Sequence, residues 1–295
     1  MDRGPHPAED PRGGNDPLKA LYRRTLGLPD PTRYDHTLMF QLKLRPVAAL
    51  VLMAAAACSG GEKAAPPAGP PPGAQKVDAA KAGNVTGRVI FEGAPPENAL
   101  VKVESDPVCT HANPEGLRFE HFAVKDGGLD NVFVYVKDGF GNYYFDVPTE
   151  AVKLDQQGCR YLPHVFGARV GQPIEIVNSD ETMHNVHAMP DVNREFNFGQ
   201  MIKGMKNTEV FTAREIMVPF TCNVHPWMKA FGGIVDHPYF AVTSAGGKFE
   251  LKNLPAGTYT VEAWHEKLPP QTQTVTVGEK ETKTISFTFK SATGS

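Results

Sequence analysis

The stretch FTCNVHPWMKAF, residues 220–231, sets a thiol, an imidazole and a thioether at three-residue intervals: Cys222, His225 and Met228. Each is a serviceable ligand for a soft or borderline metal ion. One short loop cannot surround an ion, so a further ligand has to come from elsewhere in the chain. The segment NSDETMHNVHAMP offers His184 and His187. Positions three apart on a strand point to opposite faces, so at most one of the two can face the loop residues. Two imidazoles, a thiolate and a weak axial thioether make the trigonal set that suits copper. Structural zinc prefers four Cys or His ligands and has little affinity for thioether. The donor set therefore points to one mononuclear copper ion. Each residue alone has an ordinary role available, as core thiol, surface histidine or core filler. The three at this spacing, with HNV upstream, favour the metal.

A copper-bound thiolate needs shelter from water, and Phe220, Val224, Trp227 and Phe231 flank the loop as apolar cover. Pro226 stiffens the backbone, so two oxidation states meet nearly one geometry, which favours fast one-electron transfer. His121 and His164 read as structural or exposed, and neither His237 nor His265 is assigned to metal. Met183, Met189, Met201 and Met205 read as gap-fillers.

Strands must carry these ligands. From Asn84 onward the chain runs in short β-branched and aromatic segments such as VTGRVIF, NVFVYV, QPIEIVNSD, IMVPFTC and GTYTVEAWH, separated by turn residues. This is the pattern of an all-β sandwich or barrel. PTEAVKL reads as one turn of helix.

Cys222-Asn-Val-His225-Pro-Trp-Met228 resembles the short ligand loop of the cupredoxins, of the amicyanin type, and MHNV resembles their plastocyanin-like HNV strand. The resemblance implies a cupredoxin-like Greek-key β-sandwich over residues 84–238 and a type 1 (blue) copper site. It implies His184, Cys222, His225 and Met228 as metal ligands, with His187 as an extra or rim histidine. Asn185 would stitch the two ligand segments together. Two features depart from the pattern: KAFGGIV separates Met228 from its next strand, and PDVNREFNFGQMIKGMKNTEV is a long insertion between the ligand segments. Residues 239–295, with GGKFELKNLPAGTYTVEAWHEKL, resemble the carboxypeptidase regulatory-like, or transthyretin-like, sandwich. Such modules open on a strand like VTGRVIFEG, here far upstream. Either the tail is a separate module, the layout favoured here, or strand 85–92 pairs with it and the metal-bearing unit is inserted between.

The apolar run in RPVAALVLMAAAACSGG, preceded by Lys43 and Arg45, reads as an export signal over residues 39–58. Its AAAC end resembles a bacterial lipobox, which implies lipidation of Cys58. Residues 1–38 read as an extension upstream of a start at Met39, and residues 59–83 as a Pro/Ala/Gly tether. With Cys58 assigned to lipid, Cys109, Cys159 and Cys222 remain. In an oxidising compartment one pair forms, expected as Cys109–Cys159, while metal protects Cys222. The alternative is a second metal site of Cys109, His111, Cys159 and His164.

A formal net charge of −3 gives no electrostatic case for nucleic acid. The expectation is an exported, lipid-anchored carrier of single electrons on a periplasmic or cell-surface face. Its transient partners are redox proteins such as cytochromes or copper enzymes, docking on an apolar patch at the exposed edge of His225. Copper handling without electron transfer, or a β-sandwich binding module, are the alternatives. The chain lacks the paired His-x-His motifs of multicopper oxidases, and no enzyme activity is expected.

Overall fold

After Asn131, the run VFVYV is apolar at every position, more than a strand with one wet face requires. In the computed structural model, which describes residues 70–291, both faces of this strand are covered. Val132, Val134 and Val136 enter one core, while Phe133 and Tyr135 enter another. The expectations for residues 1–38, for the signal at 39–58 with Cys58, and for the start of the tether lie outside the described residues. The described chain is almost entirely β, and no helix in it is long and apolar enough to cross a membrane.

Two sandwiches share it. In the first, strand Gly83–Glu92 runs antiparallel to Lys248–Leu254 and parallel to Thr282–Lys290. The facing sheet holds Phe240–Val242, Phe133–Asp138, Gly257–His265 and Leu268–Val277 in that order. Alternation in VTGRVIF turns Val85, Val89 and Phe91 inward against Leu251, Val261 and Phe287. The upstream strand therefore lies between two strands of the tail. The contiguous division at 238/239 is corrected: the tail finds its partner strands at 83–92 and 133–138, and the rest is inserted.

The second sandwich has a sheet of Lys206–Val210, Pro173–Asn178, Val152–Gln156 and Tyr161–Leu162. Its other sheet orders Phe196–Gln200, His184–Ala188, Glu215–Thr221, Lys229–Val235 and Val165–Arg169. Leu154, Ile174, Ile176, Val186, Val218 and Phe220 are buried between them.

Three local expectations change. KAFGGIV does not delay the strand after Met228; it is that strand, Lys229–Val235. Gly233 admits the neighbouring sandwich, because a Cβ there would come 2.4 Å from the Phe133 ring. The long insertion supplies the strands Phe196–Gln200 and Lys206–Val210, one at the edge of each sheet. PTEAVKL forms no helical turn, since Val152–Gln156 pairs in parallel with Pro173–Asn178. The end of the expected tether is also held: Gln75 bridges Tyr143, and Lys76 pairs with Asp146 at 2.7 Å.

One excursion from the first sandwich reaches the second. Leu100–Val101 pairs with Leu117–Arg118, and between them lies a short helix, α1, Pro107–Ala112. Val101, Val103, Cys109 and Leu117 are buried in the core of the second sandwich.

Candidate metal centre

His184 opens strand His184–Ala188, and Cys222 directly follows strand Glu215–Thr221. The loop from Cys222 to Met228 is closed by backbone bonds: Cys222 N donates to Met228 O at 3.3 Å, and Met228 N to His225 O at 2.9 Å. The closure turns the thiol and imidazole inward toward His184. The Nδ1 atoms of His184 and His225 lie 2.9 Å apart, with Cys222 Sγ 3.9 Å from His225 Nδ1. One donor atom from each of the three buried residues falls within 4.8 Å of the others. The backbone N–H groups of Asn185 and His225 point at the sulfur at 3.5 and 3.4 Å.

The outer nitrogens are also engaged. His184 Nε2 donates to Asp180 Oδ2 at 2.9 Å, and His225 Nε2 to Asp106 Oδ2 at 3.0 Å. Asp180 further accepts from the N–H groups of Gly158 and Cys159 at 2.7 and 2.8 Å. Asp106 caps α1 through Val108 and Cys109, and accepts from the Thr182 hydroxyl at 2.8 Å. Cys109 and Cys159 form a disulfide, so the two carboxylates are held by chain on either side of one covalent link. That bond also removes Cys109 and Cys159 from any metal set with His111 and His164. His111 is exposed, and His164 bonds Glu266 at 2.6 Å.

A carboxylate on Nε2 fixes the tautomer and leaves the Nδ1 lone pair of a neutral ring free to ligate. Two such lone pairs facing each other beside a sulfur call for a cation between them. Burial alone would raise the Cys222 thiol, but bonds from His184, His225 and two backbone amides bring it down to about 6. Burial would lower His184, yet Asp180 and Cys222 lift it to about 9. Without metal, a proton on His184 and a thiolate on Cys222 provide that charge balance. The same donors fit a single copper ion: two imidazole nitrogens and one thiolate with its sulfur hydrogen-bonded.

Of the other site residues, Met228 is fully buried in the same core as Cys222. Asn185 joins the ligand segments: its Oδ1 accepts from Asn223 N, and its Nδ2 donates to Asn197 at 2.8 Å. His187 stands outside the cluster, half-buried and bonded through Nε2 to Glu195. Pro226 is exposed. His225 is not the exposed edge expected of it: the ring is 2 % accessible, because Asp106 and the start of α1 cover it. Val224 is 42 % exposed and shelters nothing, and Phe231 packs away toward Trp264 and His164.

Sequence reasoning missed Asp106, Asp180 and Tyr161. The Tyr161 hydroxyl donates to Asn185 O at 2.6 Å and Thr221 O at 3.0 Å, tying together the strands that carry the ligands. Asp106-Pro107 is the N-cap and first-turn proline of a helix start, a signal that was available. Nothing local marks its pairing with a histidine 119 positions away.

Residues 234–290 match the family model of the carboxypeptidase regulatory-like domain. The purple cupredoxin from Nitrosopumilus maritimus aligns at 18% identity and TM-score 0.25, over 28% of this chain and 98% of its own. An amicyanin variant in its Cu(I) form aligns at 21% identity and TM-score 0.27, over 36% and 99%. The copper-containing nitrite reductase from Thermus scotoductus SA-01 aligns at 22% and 0.27, over 30% of this chain. The chain spans 23% of that reductase. No curated protein sequence matches the chain.

Proposed function

We propose that the protein is a type 1 copper electron carrier, in which His184, Cys222, His225 and Met228 would hold one ion. The reading rests on one observation: the Nδ1 atoms of His184 and His225 converge beside Cys222 while a carboxylate, the buried Asp180 or the half-buried Asp106, fixes each Nε2. Bound copper would supply a one-electron couple. Asp180 and Asp106 orient the imidazoles, the amides of Asn185 and His225 stabilise charge on the sulfur, and Tyr161 holds the two ligand strands in register. Such support keeps the donor positions constant between oxidation states, the condition for rapid electron exchange. Burial of all three donors leaves the centre suited to passing electrons rather than to admitting a substrate.

In this reading the chain is exported and tethered through Cys58 to a membrane face, where it exchanges electrons with other redox proteins. The test is cyclic reduction and reoxidation of copper-loaded protein, followed optically. Full recovery over repeated one-electron cycles without loss of copper supports a carrier. Release of copper at each reduction would instead indicate a copper-handling protein.

A further inference from the structure

With His225 buried, an electron needs another exit. Beside the ligand loop lies a groove of about 600 Å³ whose apolar lining includes Phe119, Val224, Pro226 and Trp227. Trp227 connects it to the centre. Its ring centroid is 5.0 Å from that of His225, and its Nε1 donates to Cys159 O at 3.1 Å, which fixes the indole. Leu100, 58 % exposed, and Val224 leave apolar surface open at the mouth.

The collar of the groove is cationic. Lys102, Lys229 and Lys267 line it, all exposed. Among the described residues Lys102 and Lys229 have no carboxylate partner, and Lys267 has only a long contact of 3.9 Å to Glu266. Two acids that neighbour this region in the chain or in space are engaged elsewhere, Glu120 by Arg160 at 3.4 Å and Glu266 by His164 and His121 at 2.6 and 3.0 Å, while the exposed Glu104 beside Ser105 offsets one lysine. A positive collar around an apolar contact, on a chain of net charge −3, selects the opposite sign in whatever docks there.

We infer that this groove is the electron port and that its occupant is an acidic redox protein, whose carboxylates surround an apolar contact over Trp227. The inference rests on the copper reading above and adds the partner's chemistry and the place of contact. The lysines steer the encounter, and Trp227 and His225 bring the partner's cofactor within reach of the buried thiolate.

The test uses copper-loaded protein at low ionic strength. Hexacyanoferrate(III), an anionic oxidant, takes one electron from the reduced protein and becomes hexacyanoferrate(II), as copper(I) becomes copper(II). Hexaammineruthenium(II), a cationic reductant, returns one electron and becomes hexaammineruthenium(III). In the triple variant K102E/K229E/K267E the anionic reaction is expected to slow about tenfold and the cationic one to quicken. The variant K252E/K283E/K290E, equal in charge change but outside the groove lining, is expected to react nearly as the parent does. Poly-L-glutamate should slow hexacyanoferrate(III) oxidation of the parent and not of the groove variant. Equal slowing in both triple variants, or indifference of the parent to polyglutamate, overturns the port. A failure of the centre itself would appear as no reaction with either reagent, and overturns both readings.

Discussion

The Nε2–H of His225 and the carboxylate of Asp106 meet at 3.0 Å across 119 positions of sequence. The helix that Asp106 caps is tied to the ligand-bearing sandwich by Cys109–Cys159. An excursion from one sandwich thus closes over the histidine of the other and fixes its ring. Replacing Asp106 by Asn keeps a competent helix cap but removes the carboxylate from the imidazole. Copper affinity is expected to fall about 10–100-fold with the thiolate-to-copper band retained. Competition titration against a chelator measures the first, and the visible spectrum the second.

The disulfide should matter to the metal-free protein too. It closes a separation of 50 residues, for which chain entropy implies about 4 kcal/mol. The double variant C109S/C159S is expected to lose most of that stability in urea unfolding, and to bind copper more weakly because Asp106 and Asp180 lose their common anchor. Unchanged copper affinity in a folded double variant would show that the two carboxylates hold their places without the bond.

Much of this centre is legible in the sequence. The Cys-x2-His spacing and the HNV strand name the three residues that converge, His184, Cys222 and His225, because loop spacing and strand alternation are local properties. The burial of His225 is not legible, since it depends on a helix from another part of the chain. Domain layout fails for the same reason. VTGRVIF declares a strand, but only the pairing of Gly83–Glu92 with Lys248–Leu254 and Thr282–Lys290 reveals which sheet it completes. KAFGGIV looks like a spacer because glycines weaken a strand signal. Here Gly233 makes room for Phe133.

That contact supplies a stability test. Gly233→Ala puts a methyl 2.4 Å from the buried Phe133 ring. The expected cost is about 1–3 kcal/mol by thermal or urea unfolding. A variant as stable as the parent would mean that the sandwiches part readily at this point.

Glu266, from the first sandwich, joins His164 of the second at 2.6 Å and His121 at 3.0 Å. Burial would raise Glu266, but bonding to both histidines brings it from 4.5 down to about 2. Its contribution to stability is complete above pH 4.5 and disappears as pH falls toward 2. Burial would lower His164, but Glu266 lifts it above its ordinary 6.5, so its contribution is complete below that pH and fades as pH rises through the elevated value. The pair together stabilises most between about pH 4.5 and 6.5. Glu266→Gln is expected to lower the melting temperature most in that window and to flatten its pH profile.

The central claim is that Cys222, with His184 and His225, binds one copper ion as a thiolate. The visible spectrum of the protein titrated with copper(II) tests it most directly. An intense thiolate-to-copper band should grow to one equivalent per chain, vanish in Cys222→Ser, and survive in His187→Gln. A protein that stays colourless, or a band that persists in Cys222→Ser, would contradict the claim.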